Sequence, residues 1–527
     1  MEDTKQLRAE TVRPARPVKS AKSQEARATA ASIINKGYSE AGASHTRKAM
    51  KGMKPNSGSP TEDINENLLT LRQRSRMLYM GAPVATSAIR TNRTNVVGNG
   101  LQLKSTIDYT TLGMTQEQAE EWQRHTEAEF RLWASNKRNC DATGINDFYG
   151  LQQLALVSWL TSGDVLGLVE YADREKLRPY GLRIHLIEAD RCRCPIDSGT
   201  FQSTASVKID NGYIYDGVEV NNTGAIVAYH IANTYPHQFT GDKTEFVRVP
   251  AYGEKTGLPL VLHVMDSERP EQYRGVPYLS QVMEPLLQLR RYTEAEIMAA
   301  LVQSFFTAFI KTDAGATDIP FNEVPQPEYD KDPNAYEMGP GTINMLEPGE
   351  DVTALAPTHP NTGFDAFSRS ICEQIGAALE VPADLLLKAF NASYSASRGA
   401  LLEAWKAFRM RRTWLTNDFC RPIYEIWMTE AVALGRIHAP GFFTDPIMRQ
   451  AYLESEWIGP SAGQLDPTKE VQAAVLAIDN GLSTREAESI KLNGSQYNAN
   501  VAKLKSENEK LRAANGQQAA REGGTND

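Results

Sequence analysis

Cys192 and Cys194 stand two apart on an extended stretch and so point the same way, with His185 and Asp190 close by in sequence. Thiolates and imidazoles are zinc donors, but a zinc site takes four ligands in good geometry, and the usual spacing of a second pair is missing. Ordinary buried thiols fit the pattern better. His230 and His237 lie in or beside a strand with no companion acid motif, as structural histidines do. Gly459-Pro460-Ser461-Ala462-Gly463 has the spacing of a nucleophile elbow, in which Ser461 would attack an acyl carbon. That chemistry needs a tight strand-turn-helix, whereas Pro467 interrupts the place of the helix and no alternating strand–helix units surround it. Gly98 and Gly100 match part of a dinucleotide-binding pattern whose third glycine and preceding strand are absent. There is no phosphate loop of the Walker type, no HExxH and no metal-binding run of carboxylates. The expectation is a protein without catalytic residues, metal or cofactor.

What remains is architecture, centred on residues 361–414. Phe364, Phe367, Ile371, Ile375 and Leu379 recur at steps of three and four, which gathers them on one helix face. Thr362 is positioned to cap this helix, and Pro382 stops it, because the residue before a proline is pushed out of the helical region. Lys388 to Arg398 follows, rich in Ser, Ala and Asn around Tyr394, with too few apolar side chains to bury itself. Leu401, Leu402, Trp405, Phe408 and Met410 then resume a helical pattern that carries Lys406, Arg409, Arg411 and Arg412. Those cations read either as the solvated face of a packed helix or as a surface turned to a polyanion.

Upstream, Leu68, Leu71, Met77, Leu78, Ala85 and Ile89 mark two helices divided at Gly81–Pro83, followed by a strand at Leu101–Ser105. Gln116–Trp133 and Phe148–Leu160 make two more helices, and between Gly163 and Arg248 the pattern turns to strands separated by Gly, Asn and Pro turns. This is an α+β region with a mostly antiparallel sheet. Leu286, Leu289, Ile297, Leu301 and Phe305 define a helix of about thirty residues, roughly 45 Å long, which Pro285 bends or starts. Asp313 to Pro360, rich in Pro, Gly and acids with strand-like pieces at Thr342–Leu346 and Asp351–Ala354, reads as an insertion between two long helices. Beyond Trp414 the helix continues towards Gly435, short helices fill 441–494, and 498–527 is a polar, partly helical tail holding Val501, Leu504 and Leu511.

At 527 residues and 41% hydrophobic, the chain supports two or three domains with a sizeable core. Residues 1–60 hold twelve Lys and Arg against five Asp and Glu. They read as a disordered basic arm, either a solubilising tail or a contact for nucleic acid or an acidic partner. The rest of the chain is more acidic than the net −9 of the whole, which opposes a broad grip on nucleic acid. Five scattered cysteines and a polar start fit a reducing cytoplasm. The longest apolar run, Met298 to Ile310, is broken by Gln303 and Ser304 and falls short of the ~20 residues of a membrane span.

Four stretches in order carry a resemblance: LRQRSRMLYMGAPVATSAIRTNRTNVVGNGL from Leu71, the run from His263 to Ile310 that begins HVMDSERPEQYRGVPYLSQ, GAALEVPADLLL from Gly376, and Trp457-x-Gly-Pro followed by Asp466-Pro-x-Lys-Glu. Over most of residues 38–490 the chain resembles the lambda family of tailed-phage portal proteins. The resemblance implies a portal-type α+β fold assembled as a homo-oligomeric ring of twelve at the capsid portal vertex, a channel for packaging and ejecting double-stranded DNA. It implies a wing at 61–276, a stem helix at 277–311, a clip at 312–360 and a second stem helix at 361–380. A tunnel loop at 381–398, a long wing or channel helix at 399–435, a crown at 436–497 and a polar tail at 498–527 complete the division. By the same analogy Lys388, Asn391, Ser393, Tyr394, Ser395 and Arg398 face the channel, and Phe364, Phe367, Ile371 and Ile375 form the subunit contacts of the stem. The implied partners are DNA, the large terminase subunit, major capsid and scaffold proteins, and a head-completion or adaptor protein, with no membrane. The implied location is the virion, and the host cytoplasm during assembly. Other classes remain: a monomeric DNA-binding adaptor using the basic arm, a serine hydrolase built on Ser461, or a different ring of the head-to-tail connector.

Overall fold

The computed structural model describes residues 48–50, 52–53, 57–195, 206–236, 244–304, 308–312, 350–354, 363–390, 393–463 and 466–522. The basic arm up to residue 47, Thr362, His237, Asn391 and most of the 312–360 insertion lie outside them. What is described of the N-terminal unit, Met1–Ser57, includes one 3₁₀ turn, Lys48–Met50.

The second unit, Gly58–Asp527, begins with α1 (Glu66–Gly81) and α2 (Pro83–Val96), divided at Ala82 with Pro83 opening the second helix. β1 (Gln102–Ser105), α3 (Gln116–Ala134), the single turn α4 (Lys137–Cys140) and α5 (Phe148–Ser162) follow. Thr115 and Gln118 close a capping box on α3, which explains its sharp start. β2 (Asp164–Tyr171), β3 (Leu182–Glu188), β4 (Ser206–Ile209), β5 (Gly212–Tyr215), β6 (Val218–Asn221), β7 (Ile226–Ala232), β8 (Phe246–Pro250) and β9 (Val261–Met265) build two antiparallel sheets. Their orders are β3-β2-β9 and β4-β5-β6-β7-β8.

A 3₁₀ turn at Ser280–Val282 leads into α6 (Met283–Ser304), with Pro285 in the first turn where its missing N–H costs nothing. The expected stem helix reaches residue 311, but β10 (Ala308–Thr312) is a strand, paired antiparallel with β11 (Glu350–Ala354) from Ala308↔Ala354 to Thr312↔Glu350. An apolar run of this kind serves helix or strand equally, and the cross-strand partner decides.

α7 (Phe364–Ala378), α8 (Ala383–Leu387) and α9 (Tyr394–Leu415) come next. A five-residue π segment, Thr416–Cys420, joins α9 to α10 (Arg421–Ala433). Pro422 cannot donate to the preceding turn, and the wider π turn absorbs that lost bond. α11 (Pro446–Leu453), β12 (Ser455–Ile458), α12 (Pro467–Asp479), α13 (Arg485–Asn493) and α14 (Tyr497–Glu522) finish the chain. Pro467 therefore opens a helix rather than breaking one, with Asp466 as its cap. β12 returns to pair with β1, Leu103 opposite Trp457, and ties the C-terminal helices to the start of the fold.

The described core has a smaller cluster around Leu166, Val218 and Tyr229 and a larger one in which Phe130 meets Phe148, Tyr424 and Trp427 edge-on at 5.6, 5.8 and 5.1 Å. Edge-to-face rings of this kind are favoured by the aromatic quadrupole. Trp133, Phe148, Phe419 and Trp427 are all fully buried there.

Candidate functional site

The region expected to line a channel is the α7–α8–α9 hairpin standing on α6. Tyr292 of α6 receives Phe364 in a stack at 5.3 Å and the edge of Phe367 at 5.1 Å. Cys372 and Ile375, one and two turns further along, face inward at 3% and 1% exposure. Ile375 is thus taken by the chain's own core and leaves the set of stem contacts; Ile371 is half-buried against the same core. Phe364 is half-buried and Phe367 is 52% exposed.

Leu379 ends α7 and Glu380 turns left-handed at φ 53°, so that Val381 N reaches back to Gly376 O at 2.9 Å. A side chain at Gly376 would meet Val381 O at 2.5 Å, which is why glycine stands there. Arg369 Nη2 donates to Asp384 Oδ1 at 3.2 Å and fastens α8 to α7. α8 ends on Lys388, exposed and left-handed at φ 54°.

The expected loop is shorter than 381–398. Ser393, exposed, accepts from Ala396 N and caps α9, and Tyr394 is already its first residue. Satisfying an orphan amide lets a run of small residues begin a helix. Ser395 is exposed and Arg398 half-buried, both on this first part of α9; Asn391 lies outside the described residues.

The cations of α9 divide. Lys406 and Arg409 are exposed, whereas Arg411 is 5% exposed. Arg411 donates to Glu380 Oε2 at 2.6 Å and Asn92 Oδ1 at 3.1 Å, with its guanidinium 4.9 Å from the Tyr278 ring centroid. Arg412 donates to the carbonyls of Val96, Asn95 and Pro460 at 2.9, 2.8 and 2.9 Å. The first two are the last carbonyls of α2, where the helix dipole favours a cation. Burial, and then the charge of Arg409, pull Arg412 down to about 10. These two arginines bolt α9 to α2 and the end of α7.

The sequence reading missed a buried charge cluster centred on Arg274, a few residues before α6. Arg274 is fully buried and donates to Asp164 Oδ2 at 2.6 Å, Asp216 Oδ2 at 3.0 Å, Cys192 O at 2.7 Å and Ala189 O at 2.8 Å. Arg72 of α1 joins the same carboxylates at 3.2 and 3.3 Å, and His263 Nε2 lies 3.2 Å from Asp164 Oδ2. Burial alone would raise Asp164; the guanidiniums of Arg274 and Arg72 outweigh it and hold the carboxyl well below its ordinary range. Next to this hub Gly275 and Gly163 pass so closely that a side chain on Gly275 would meet Gly163 O at 1.9 Å. Only the adjacency of Gly275 to Arg274 and of Gly163 to Asp164 hinted at it in sequence.

The remaining candidates separate. Cys192 and Cys194 are buried free thiols, raised by burial to about 12 and about 11, while His185 pairs with Glu170 at 2.9 Å. His230 joins Glu219 at 2.9 Å, and Arg248 joins the same acid at 2.7 Å. No group of three or more His, Cys, Asp or Glu that could hold a metal occurs among the described residues. Ser461 lines a cavity of about 500 Å³ with Arg409, Arg412, Trp405 and Lys491, and no histidine is among its described lining. Its hydroxyl donates to Leu492 O at 3.5 Å, and among the described residues no side-chain base is bonded to it. No helix among the described residues is long and apolar enough to cross a membrane.

The described residues thus form an α+β body with two packed helices, α6 and α7, and an antiparallel strand pair, β10 and β11, between them in sequence. The model of the family described as phage portal protein, lambda family, matches residues 46–412. The portal protein of Escherichia phage N15 is 23% identical over 486 residues, which cover 88% of each chain. Portal protein B of Escherichia phage lambda is 23% identical over 478 residues, covering 86% of this chain and 87% of that one. Among solved structures, the neck of a native gene transfer agent particle computed with C12 symmetry aligns at a TM-score of 0.41 and 13% identity, over 81% of this chain and 94% of that chain. The chain belongs to the lambda family of phage portal proteins, structural components of the virion at its portal vertex.

Proposed function

We propose that twelve copies of this chain close into a ring around a channel through which double-stranded DNA enters the capsid and later leaves. The observation that carries this reading is the stem. α6 exposes Ile297 at 55% and Met298 at 59%, and α7 exposes Phe367 at 52%, on two helices already packed together. Neighbouring subunits would bury those side chains, as apolar groups on an assembled helix pair require. Lys388, Lys406 and Arg409 are exposed on the hairpin of an otherwise acidic chain. A few cations among acids guide a sliding polyanion without the many phosphate contacts that would arrest it. In this reading the insertion between α6 and α7 is the clip, which receives the large terminase subunit during packaging and head-completion proteins afterwards. Capsid and scaffold proteins hold the wing, and assembly takes place in the host cytoplasm.

Native mass with negative-stain imaging tests the ring. The expected species is near twelve times the 58.4 kDa chain, seen as a ring with a central hole. Ile297→Asp should stay folded by circular dichroism yet fail to close, because a charge in a dry helix contact costs several kcal/mol. A wild-type chain that stays monomeric at every salt and concentration would overturn the proposal.

A further inference from the structure

The last helix, α14, is anchored at its root and bare from Val501 to Arg512. Tyr497 N donates to Glu486 Oε2 at 2.8 Å, and Asn500 Nδ2 donates to the hydroxyls of Ser489 and Ser495 at 3.1 and 2.6 Å. From Val501 to Arg512 every residue is exposed, with Val501 at 43%, Leu504 at 54% and Leu511 at 59%. Helices owe most of their stability in proteins to the packing of an apolar face, and this face packs on nothing among the described residues.

The pattern specifies what covers it. Val501, Leu504, Asn508 and Leu511 follow one another at steps of three, four and three, the a-d-a-d seam of a coiled coil. A β-branched residue at a with leucine at d selects two strands, and asparagine at a, as at Asn508 and again one heptad on at Asn515, selects one register, in which it meets its own copy. In that parallel register Glu507, at g, lies across from Arg512, at e, of the other helix, an opposite-charge pair. Lys503, Ser506, Glu509 and Lys510 occupy the far face, so the helix has one apolar seam. One seam serves a pair; a closed barrel of helices needs a second on every member.

We infer that α14 pairs in parallel with α14 of a second copy of this chain as a two-stranded coiled coil. The inference rests on the ring proposed above, which supplies what two heptads lack. Cyclic symmetry points every α14 the same way, and tethering raises the effective concentration of neighbours. Pairing also divides twelve subunits into six couples, so this end of the ring carries six-fold rather than twelve-fold symmetry.

All five native cysteines are buried, so a cysteine introduced on α14 of the full chain reports its own neighbour. Native mass is measured first, on each variant. In assembled rings under mild oxidation, Leu504→Cys and Leu511→Cys should form disulfide dimers at least about tenfold faster than Ser506→Cys on the far face, since the bond forms only between Cβ atoms about 4 Å apart. Rings mixed from Leu504→Cys chains and size-tagged Leu511→Cys chains should give no cross-link between the two sites, as a parallel register requires. Rings of the expected mass in which Leu504→Cys oxidises no faster than Ser506→Cys would overturn the pairing and leave the ring intact; cross-links between sites 504 and 511 would overturn the parallel register. A monomeric mass defeats the ring on that measurement alone. The coil is then judged by whether Leu504→Cys still outpaces Ser506→Cys at raised protein concentration.

Discussion

Arg274→Met keeps most of the side-chain volume at the root of the stem and removes its charge. Two guanidiniums, Arg274 and Arg72, face two carboxylates, Asp164 and Asp216, at side-chain exposures of 0, 3, 0 and 9%. Removing one guanidinium leaves one net negative charge buried, and breaking a buried pair in this way costs about 3–5 kcal/mol. The carbonyl of Cys192 loses this donor as well, at about 1 kcal/mol, while Ala189 O keeps the Cys192 amide at 3.1 Å. Because these groups share partners the losses do not add, and the expected total is about 5 kcal/mol. The sign with pH follows from Asp164. Its depressed value in the fold means that the stabilisation is present above the unfolded carboxyl value near 3.9 and is lost as pH falls through the folded value. The penalty of Arg274→Met is therefore full at pH 7 and shrinks as pH falls below about 4, where Asp164 takes up its proton in the variant first. Urea unfolding followed by tryptophan fluorescence at pH 7 and about pH 3 measures it, and Arg274→Met/Asp216→Asn, which restores the charge balance, should recover about half the loss at pH 7. A loss under about 1 kcal/mol at pH 7, or an equal loss at both pH values, would refute the reasoning.

Two further outcomes follow from the same coordinates. Burial, reinforced by the charge of Asp266, raises Asp418 in the π segment to about 6, above its unfolded value, so its contribution to stability falls as pH rises from about 4 to about 6. Asp418→Asn should stabilise the fold by about 1 kcal/mol at pH 8, after allowance for its partial exposure, and by nothing at pH 4; equal thermal shifts at both pH values would contradict this. Gly275→Ala places a methyl group 1.9 Å from Gly163 O, a backbone atom that cannot step aside. It should lower the melting temperature by about 10 °C or more or yield insoluble protein, whereas a shift under about 2 °C would show that the two chains part easily.

Much of this architecture was legible in the chain. The break at Gly81–Pro83, the helices Gln116–Ala134 and Phe148–Ser162, and the strands β2, β3, β6, β7 and β8 follow from periodicity, capping residues and turn chemistry, all of which act within a few residues, whereas the short strands β4 and β5 were not read. The helix from Phe364 and its stop before Pro382 are local in the same way. The start of α9 was missed because Tyr394 to Gly399 carries no apolar period, yet one serine cap suffices to begin a helix whose later turns are packed.

What the chain could not disclose is which surface each helix face meets. Phe364, Phe367, Ile371 and Ile375 share a stripe by spacing, but only the packed fold assigns Ile375 to the chain's own core and leaves Phe367 exposed. Lys406, Arg409, Arg411 and Arg412 read as one basic face, and the fold buries Arg411 against Asn92, some three hundred residues earlier, while Lys406 stays in solvent. Arg72, Asp164, Asp216 and Arg274 carry no mutual spacing that marks them as a cluster; they meet because α1, β2, the turn after β5 and the approach to α6 converge on one point. Local signals in the chain set the order and type of most elements, since helix period, caps and turns act over a few residues; β10, decided by its partner β11, is an exception. The tertiary structure decided burial, charge pairing and exposed seams, because each depends on two surfaces brought together from distant parts of the chain.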